Sequence, residues 1–262
     1  MPSDDTRSVR LRAGVSVACL SLALFATSAS AYRPFEGTDA DVVRRQSVEI
    51  ELQPAGMLRE GSQSTFIAPA AVLNIGLVQG WEAVFEGRGQ FPLSSSDEGV
   101  GPSLVGVGAF LKGVSRPGSL QDQPGPSIAT EFGVLLPGIN AESGFGASIA
   151  GIVSQQWDWG TVHFNAATAL TREHRADVFV STIIEGPHKW TVRPVAEVFY
   201  EEEFGLSRTV SGLVGAIWQV KDDLSFDIGI RHAVTNGHAV NELKVGMTFS
   251  FPLRPLRPSA QN

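Results

Sequence analysis

Cysteine is nearly absent, with one in 262 residues. A disulfide framework and a cysteine-built metal cluster are both excluded. Neither H-E-x-x-H nor G-x-S-x-G occurs, so the common zinc-hydrolase and serine-hydrolase signatures are missing. Charged residues make up only 18%, contain no basic run and sum to −7. That leaves no electrostatic footprint for a nucleic-acid partner. Past the N-terminal region no run of 18 apolar residues exists and mean hydropathy is close to zero, which excludes a bundle of membrane-spanning helices. Apolar residues also lack helical periodicity.

What is present begins with an export signal. Arg7, Arg10 and Arg12 precede an apolar stretch from Ala13 to Ala26, followed by Ala29-Ser30-Ala31. A basic n-region, a short h-region and an A-x-A site predict a signal peptide over 1–31, cleaved before Tyr32. The stretch is too short for a transmembrane anchor, and Ser16-Val17-Ala18 is a poor approach to a lipidated Cys19. The mature chain then runs over 32–262 with a charge of −8 and no cysteine.

The repeating signal after that is period 2. Twelve runs are expected as strands: 47–53, 64–75, 81–90, 103–113, 127–136, 144–154, 161–171, 177–186, 190–201, 208–219, 224–233 and 240–251. Most span about nine to eleven residues, the length a tilted strand needs to cross a bilayer, whereas soluble strands average about five or six. Leu224, Phe226, Ile228 and Ile230 share one face, and Ser225, Asp227, Gly229 and Arg231 the other. Val192, Ala196, Val198 and Tyr200 oppose Arg193, Glu197 and Glu201 in the same way. Charge at mid-bilayer costs about 2–4 kcal/mol for Arg or Lys, so a lipid-facing surface should exclude it.

A soluble barrel or sandwich would alternate too, with the wet face reversed. The turns separate the two readings. In an even-stranded bacterial barrel with periplasmic termini, links after even-numbered strands are periplasmic and short. Those after the second, sixth, eighth and tenth strands look tight, the odd-numbered links look longer, and 114–126 after the fourth is a long exception. All five tryptophans, Trp81, Trp157, Trp159, Trp190 and Trp218, fall beside the even-numbered links, as an aromatic girdle at one membrane interface would. Pro69 and Pro194 lie inside expected strands, where a closed barrel offers no edge, so a bulge or a small displacement is expected at each.

The expected architecture is therefore an antiparallel transmembrane β-barrel of twelve strands. A periplasmic N-terminal segment (32–46) precedes the barrel (47–251), and a proline-rich periplasmic tail (252–262) follows it. Pro252, Pro255 and Pro258 forbid further strand, so Phe251 would serve as the assembly aromatic from an internal position. Expected partners are outer-membrane lipid, the barrel-assembly machinery and a small-molecule solute.

Residues predicted to line the lumen are Glu49, Glu51, Glu82, Glu86, Arg88, Lys112, Glu131, His163, Asn165, Glu185, Arg193, Glu197, Asp227, Arg231, Glu242 and Lys244. Nine acids against five bases give a mixed, slightly cation-favouring ring, which lines an aqueous path or interlocks as ion pairs that plug it. Eight strands are filled by side chains and 16–18 leave a channel, so about twelve lies between. Gly106, Gly108, Gly133, Gly146, Gly215, Gly229 and Gly246 on that side favour some cavity.

Catalysis has little support. His163 reads as a hydrogen-bonded interior histidine, and GVGAFLKG (106–113) lacks the spacing and following helix of a phosphate loop. Outer-membrane barrels that cleave lipid esters set a His beside a Ser on the outer face. His232 has no Ser two residues away, and the Asn236-Gly237 that follows reads as a hairpin turn. No cofactor, metal or catalytic residue is implied.

RPFEGTDA (33–40), GPSIATEFGVLLPG (125–138), VRPVAEVFYE (192–201) and LSFDIGIRHA (224–233) resemble segments of the outer-membrane family called the MetA-pathway of phenol degradation proteins. The resemblance runs over most of the mature chain and implies an outer-membrane barrel that admits aromatic or other hydrophobic compounds. It supplies no catalytic residues. The expected function is a passive channel selecting by lumen width and charge. A lipid-modifying enzyme and a closed structural or adhesive barrel are the alternatives.

Overall fold

A computed structural model describes residues 34–93 and 101–253. The expected signal peptide and most of the proline-rich tail lie outside the described residues. Twelve strands form in order: β1 (Ser47–Glu60), β2 (Gln63–Val78), β3 (Trp81–Pro92), β4 (Ser103–Arg116), β5 (Ser127–Leu135), β6 (Gly146–Trp157), β7 (Gly160–Leu170), β8 (Ala176–Glu185), β9 (Val192–Glu203), β10 (Ser207–Lys221), β11 (Leu224–Thr235) and β12 (His238–Pro252). Each pairs antiparallel with its sequence neighbour, and β1 pairs with β12, closing the barrel. Closure is the device that lets strands cross a bilayer, because no backbone edge is left unpaired.

Strand ends agree with the alternation to within three residues, except in β1, which runs on to Glu60. A register shift between Leu52 and Ala55 there interrupts the period-2 pattern, which hides the second half of the strand from a periodicity reading. The prolines divide. Pro69 lies within a register shift between Ile67 and Ala70, a bulge of the expected kind. Pro194 needs no bulge: it pairs in register with Ala216. β8 has ended by that level, so the missing N–H falls where the ladder to β8 is finished, and the Pro194 carbonyl accepts the Gly186 N–H at 2.8 Å.

The two sets of links differ less than expected. Links after odd-numbered strands include the tight turns 61–62, 204–206 and 236–237, and only 93–102 and 136–145 are long. Positive φ at Gly61, Gly205 and Gly237, with Asn236 at 50°, permits these turns, so the strands extend into what looked like loop. Asn236 and Gly237 form the hairpin turn that their sequence indicates. His232 beside it bonds its Nδ1 to Asn241 Oδ1 at 2.8 Å across β11–β12.

Apolar side chains cover the outside: Val198, Val214 and Ile230 are at least 60% exposed. The interior is less polar than strict alternation suggests. Leu58, Ile67, Ala70, Ala233 and Val240 form one buried cluster and Val72, Val84, Phe110 and Leu135 another. Several inward glycines therefore leave no space. The Phe110 ring covers Gly108 and Gly133, and the Asp227 carboxylate covers Gly246.

Candidate functional site

The largest departure from expectation is the segment before β1. Rather than lying outside the barrel, residues 34–43 run inside it, with Pro34, Phe35, Gly37, Thr38 and Ala40 buried. An extended peptide away from water must satisfy its backbone donors, and here side chains of the wall do so. Glu197 on β9 accepts the N–H groups of Glu36 and Gly37, both at 2.8 Å. Asn165 on β7 accepts from Thr38 N–H at 3.1 Å and donates to Thr38 O at 2.9 Å, copying one rung of a β ladder. Ser154 on β6 accepts from Ala40 N–H at 2.9 Å, and Glu82 on β3 from Val43 N–H at 2.6 Å.

Charge fixes the register of the segment. Glu36 meets Lys244 in a short ion pair and Arg231 at 3.9 Å. Asp39 meets Lys112 at 3.3 Å, and Lys112 also reaches Thr38 Oγ1 and Glu82. Burial lifts the Glu36 carboxyl, but Lys244, Arg231 and Arg88 outweigh it and hold the group at about 2. Asp39 is likewise lowered, burial being outweighed by Lys112 and His163, whereas burial and the Asp39 charge push Asp41 up.

The long fourth link has a role here. It carries a 3-10 turn at Ser119–Gln121. Gln121 donates to Ala40 O and Asp41 Oδ1, each at 3.0 Å, and the Ser119 hydroxyl accepts the Gln156 N–H at 2.8 Å. A link of minimum length has no residue to spare for this clamp.

Each sequence-predicted lumen residue has a definite place. Asn165, Glu197, Arg231, Lys112, Glu82 and Lys244 hold the segment directly, as above. His163 bridges Ser154 (Nδ1 to Oγ, 2.7 Å) and Glu185 (Nε2 to Oε1, 3.2 Å), and Arg193 lies 3.5 Å from Glu185. Arg231 also binds Glu242 at 2.8 Å. Glu51 accepts from Asn74 at 2.8 Å. Glu131 is 1% exposed, with neither carboxylate oxygen hydrogen-bonded. Arg88 and Glu86 lie on β3, with Arg88 near enough to Glu36 to lower its pKa. Glu49 and Asp227 line a cavity of about 160 Å³ with Arg193, at the end where β1 begins. Trp81, Trp157, Trp159, Trp190 and Trp218 are exposed at that same end. Trp157 and Trp159 stack with centroids 5.3 Å apart, and Trp81 lies over Gly113.

Sequence reasoning missed the segment itself and its uncharged partners Ser154 and Gln121. In chemical terms the assembly is a bore with a docked peptide across it. Among the described residues no group of three or more metal-ligating side chains is arranged to hold an ion. Ser154 is fully buried with Ala40 N–H on its hydroxyl, which does not fit a nucleophile.

No family model and no curated protein matches the chain in sequence. Solved structures do match in shape. The COG4313 outer membrane channel from Pseudomonas putida F1 superposes with a TM-score of 0.61 at 6% identity, over 82% of this chain and 98% of that one. The KdgM porin superposes at 0.52 and 10% identity, over 78% of this chain and 99% of that one. The fold is an outer-membrane β-barrel. At such identities the likeness concerns the fold alone, and the barrel's own wall and segment carry the functional reading.

Proposed function

We propose that this protein is a passive outer-membrane channel for small molecules, closed at rest by its own N-terminal segment. The observation that carries the reading is the set of five backbone N–H groups, from Glu36, Gly37, Thr38, Ala40 and Val43, received by side chains of the wall. A β-barrel built only to be solid fills its bore with side chains from its own strands. Here a peptide that is no part of the sheet fills it, through contacts that water can replace one by one.

In this reading residues 1–31 are the export signal and both termini face the periplasm. The tryptophan end then sits at the periplasmic interface, which suits amphipathic indoles. Phe251, which ends the apolar face of β12 before Pro252, serves as the aromatic signal to the assembly machinery. The resemblance to the MetA-pathway of phenol degradation family supports aromatic or hydrophobic solutes. Its quoted segments contain residues 34–40 of the docked peptide and two of its anchors, Glu197 and Arg231.

Conductance of the refolded barrel in planar bilayers tests the reading. The whole chain should show small, infrequent openings, and deletion of 34–43 should give a persistently open pore. A deletion variant that folds yet passes no resolvable current at any voltage refutes it.

A further inference from the structure

Phe35 is the one large apolar side chain that the docked segment inserts into the wall, and it is 0% exposed. It completes a cluster with Ile183, Val195, Leu213 and Ile217 from β8, β9 and β10. In the sheet register Ile183 and Leu213 flank Glu197 on either side, and Val195 pairs with Gly215, which lies between Leu213 and Ile217. Gly215 in turn pairs with Gly229 on β11. Two adjacent strands thus present glycine at one level, hollowing the wall beside the cluster. Pro34 settles over this hollow: a Cβ on Gly229 would stand 3.2 Å from Pro34 Cβ.

The surroundings are of the opposite character. Glu197, Arg231, Arg193, Glu185 and Asp227 stand around the cluster in the register or beyond it. Four branched apolar side chains amid that charge are costly to leave facing water, since exposed apolar surface costs roughly 25 cal/mol per Å². They make a dry pocket whose shape is set by a benzyl group. A cavity lined by aliphatic side chains stays empty of water and takes up benzene-sized guests.

We propose that this pocket is a binding subsite for a single apolar six-membered ring, with Phe35 as its resident occupant. An arene entering the bore competes with Phe35, and winning the pocket removes one of the segment's holds and shifts it toward release. The second step rests on the channel reading above; the pocket itself does not. The segment's polar anchors are independent of the ring, so Phe35 can leave its pocket before Glu36 and Asp39 leave theirs.

The test uses the full-length barrel and toluene, in two measurements. First, Phe35→Ala in detergent should gain a saturable, toluene-dependent rise in unfolding midpoint of about 2–4 °C at a few times the dissociation constant. The native chain in the same micelles should show less, and Phe35→Ala/Leu213→Asn none. Second, toluene should raise the open fraction of the native channel in planar bilayers, and Leu213→Asn should abolish the rise, separating a site effect from softening of the lipid. Equal midpoints in Phe35→Ala with and without toluene overturn the subsite. A conducting native channel indifferent to toluene, or a rise that persists in Leu213→Asn, overturns the release step. If Phe35→Ala binds toluene but no variant conducts, the channel reading fails and the subsite stands.

Discussion

Removing the charge of Glu36 should unlatch the segment. In the docked state Lys244, Arg231 and Arg88 overcome the effect of burial and hold this carboxyl at about 2, against an ordinary 4.5. With the undocked segment in water as the reference, each pKa unit is worth about 1.4 kcal/mol. The ionised carboxylate then favours docking by about 3 kcal/mol, on the order of a hundredfold in the ratio of docked to free. The sign follows from the direction of the shift. A group whose pKa falls on docking stabilises the docked state fully above about pH 4.5, and loses that contribution as pH drops toward 2. Asp39 acts in the same direction and Asp41, pushed up by burial and by Asp39, in the opposite one. The difference between native chain and Glu36→Gln isolates Glu36. In planar bilayers the native channel should open increasingly below pH 4.5. Glu36→Gln should already be open at pH 7, by up to about a hundredfold, with a flatter response to acid. Equal open fractions at pH 7 together with equal acid responses would show that the charge does not hold the segment.

Two further substitutions probe the bore from different sides. Gly37 lies against Ser181 and Asn165, and a Cβ there would overlap the Ser181 hydroxyl; Gly37→Val should therefore raise resting conductance and lower the unfolding midpoint in urea by no more than deletion of 34–43 does. A normal resting conductance in that variant would mean that the fit at Gly37 is loose. Lys112→Met strands Asp39 and Glu82 without their cation, and breaking a buried pair in this way costs about 3–5 kcal/mol. The midpoint of the refolded barrel should fall accordingly and Lys112→Arg should recover much of it, whereas an unchanged midpoint in Lys112→Met would place the lysine in water.

The barrel was legible because a lipid-facing strand obeys a local rule. Ile228 and Ile230 face out and Asp227 and Arg231 face in, whatever the rest of the chain does. The rule fails where the backbone does. The shift between Leu52 and Ala55 conceals the second half of β1, and positive φ at Gly61, Gly205 and Gly237 turns apparent loop into hairpin. The tryptophans sit beside turns, whose places do not depend on strand register.

The docked segment obeys no local rule. RPFEGTDA has no period and is polar enough to read as a solvated leader. Its partners lie 114 to 161 residues away where Ser154, Asn165 and Glu197 receive its N–H groups. The same fact changes what the lumen charges mean. Lys112, Arg231 and Lys244 balance Asp39 and Glu36 rather than a passing ion. When the segment leaves, Glu36 and Asp39 leave with it, while Lys112 keeps Glu82 and Arg231 keeps Glu242. The open bore is therefore more positive than the closed one by those two carboxylates, so selectivity and gating are set by the same side chains.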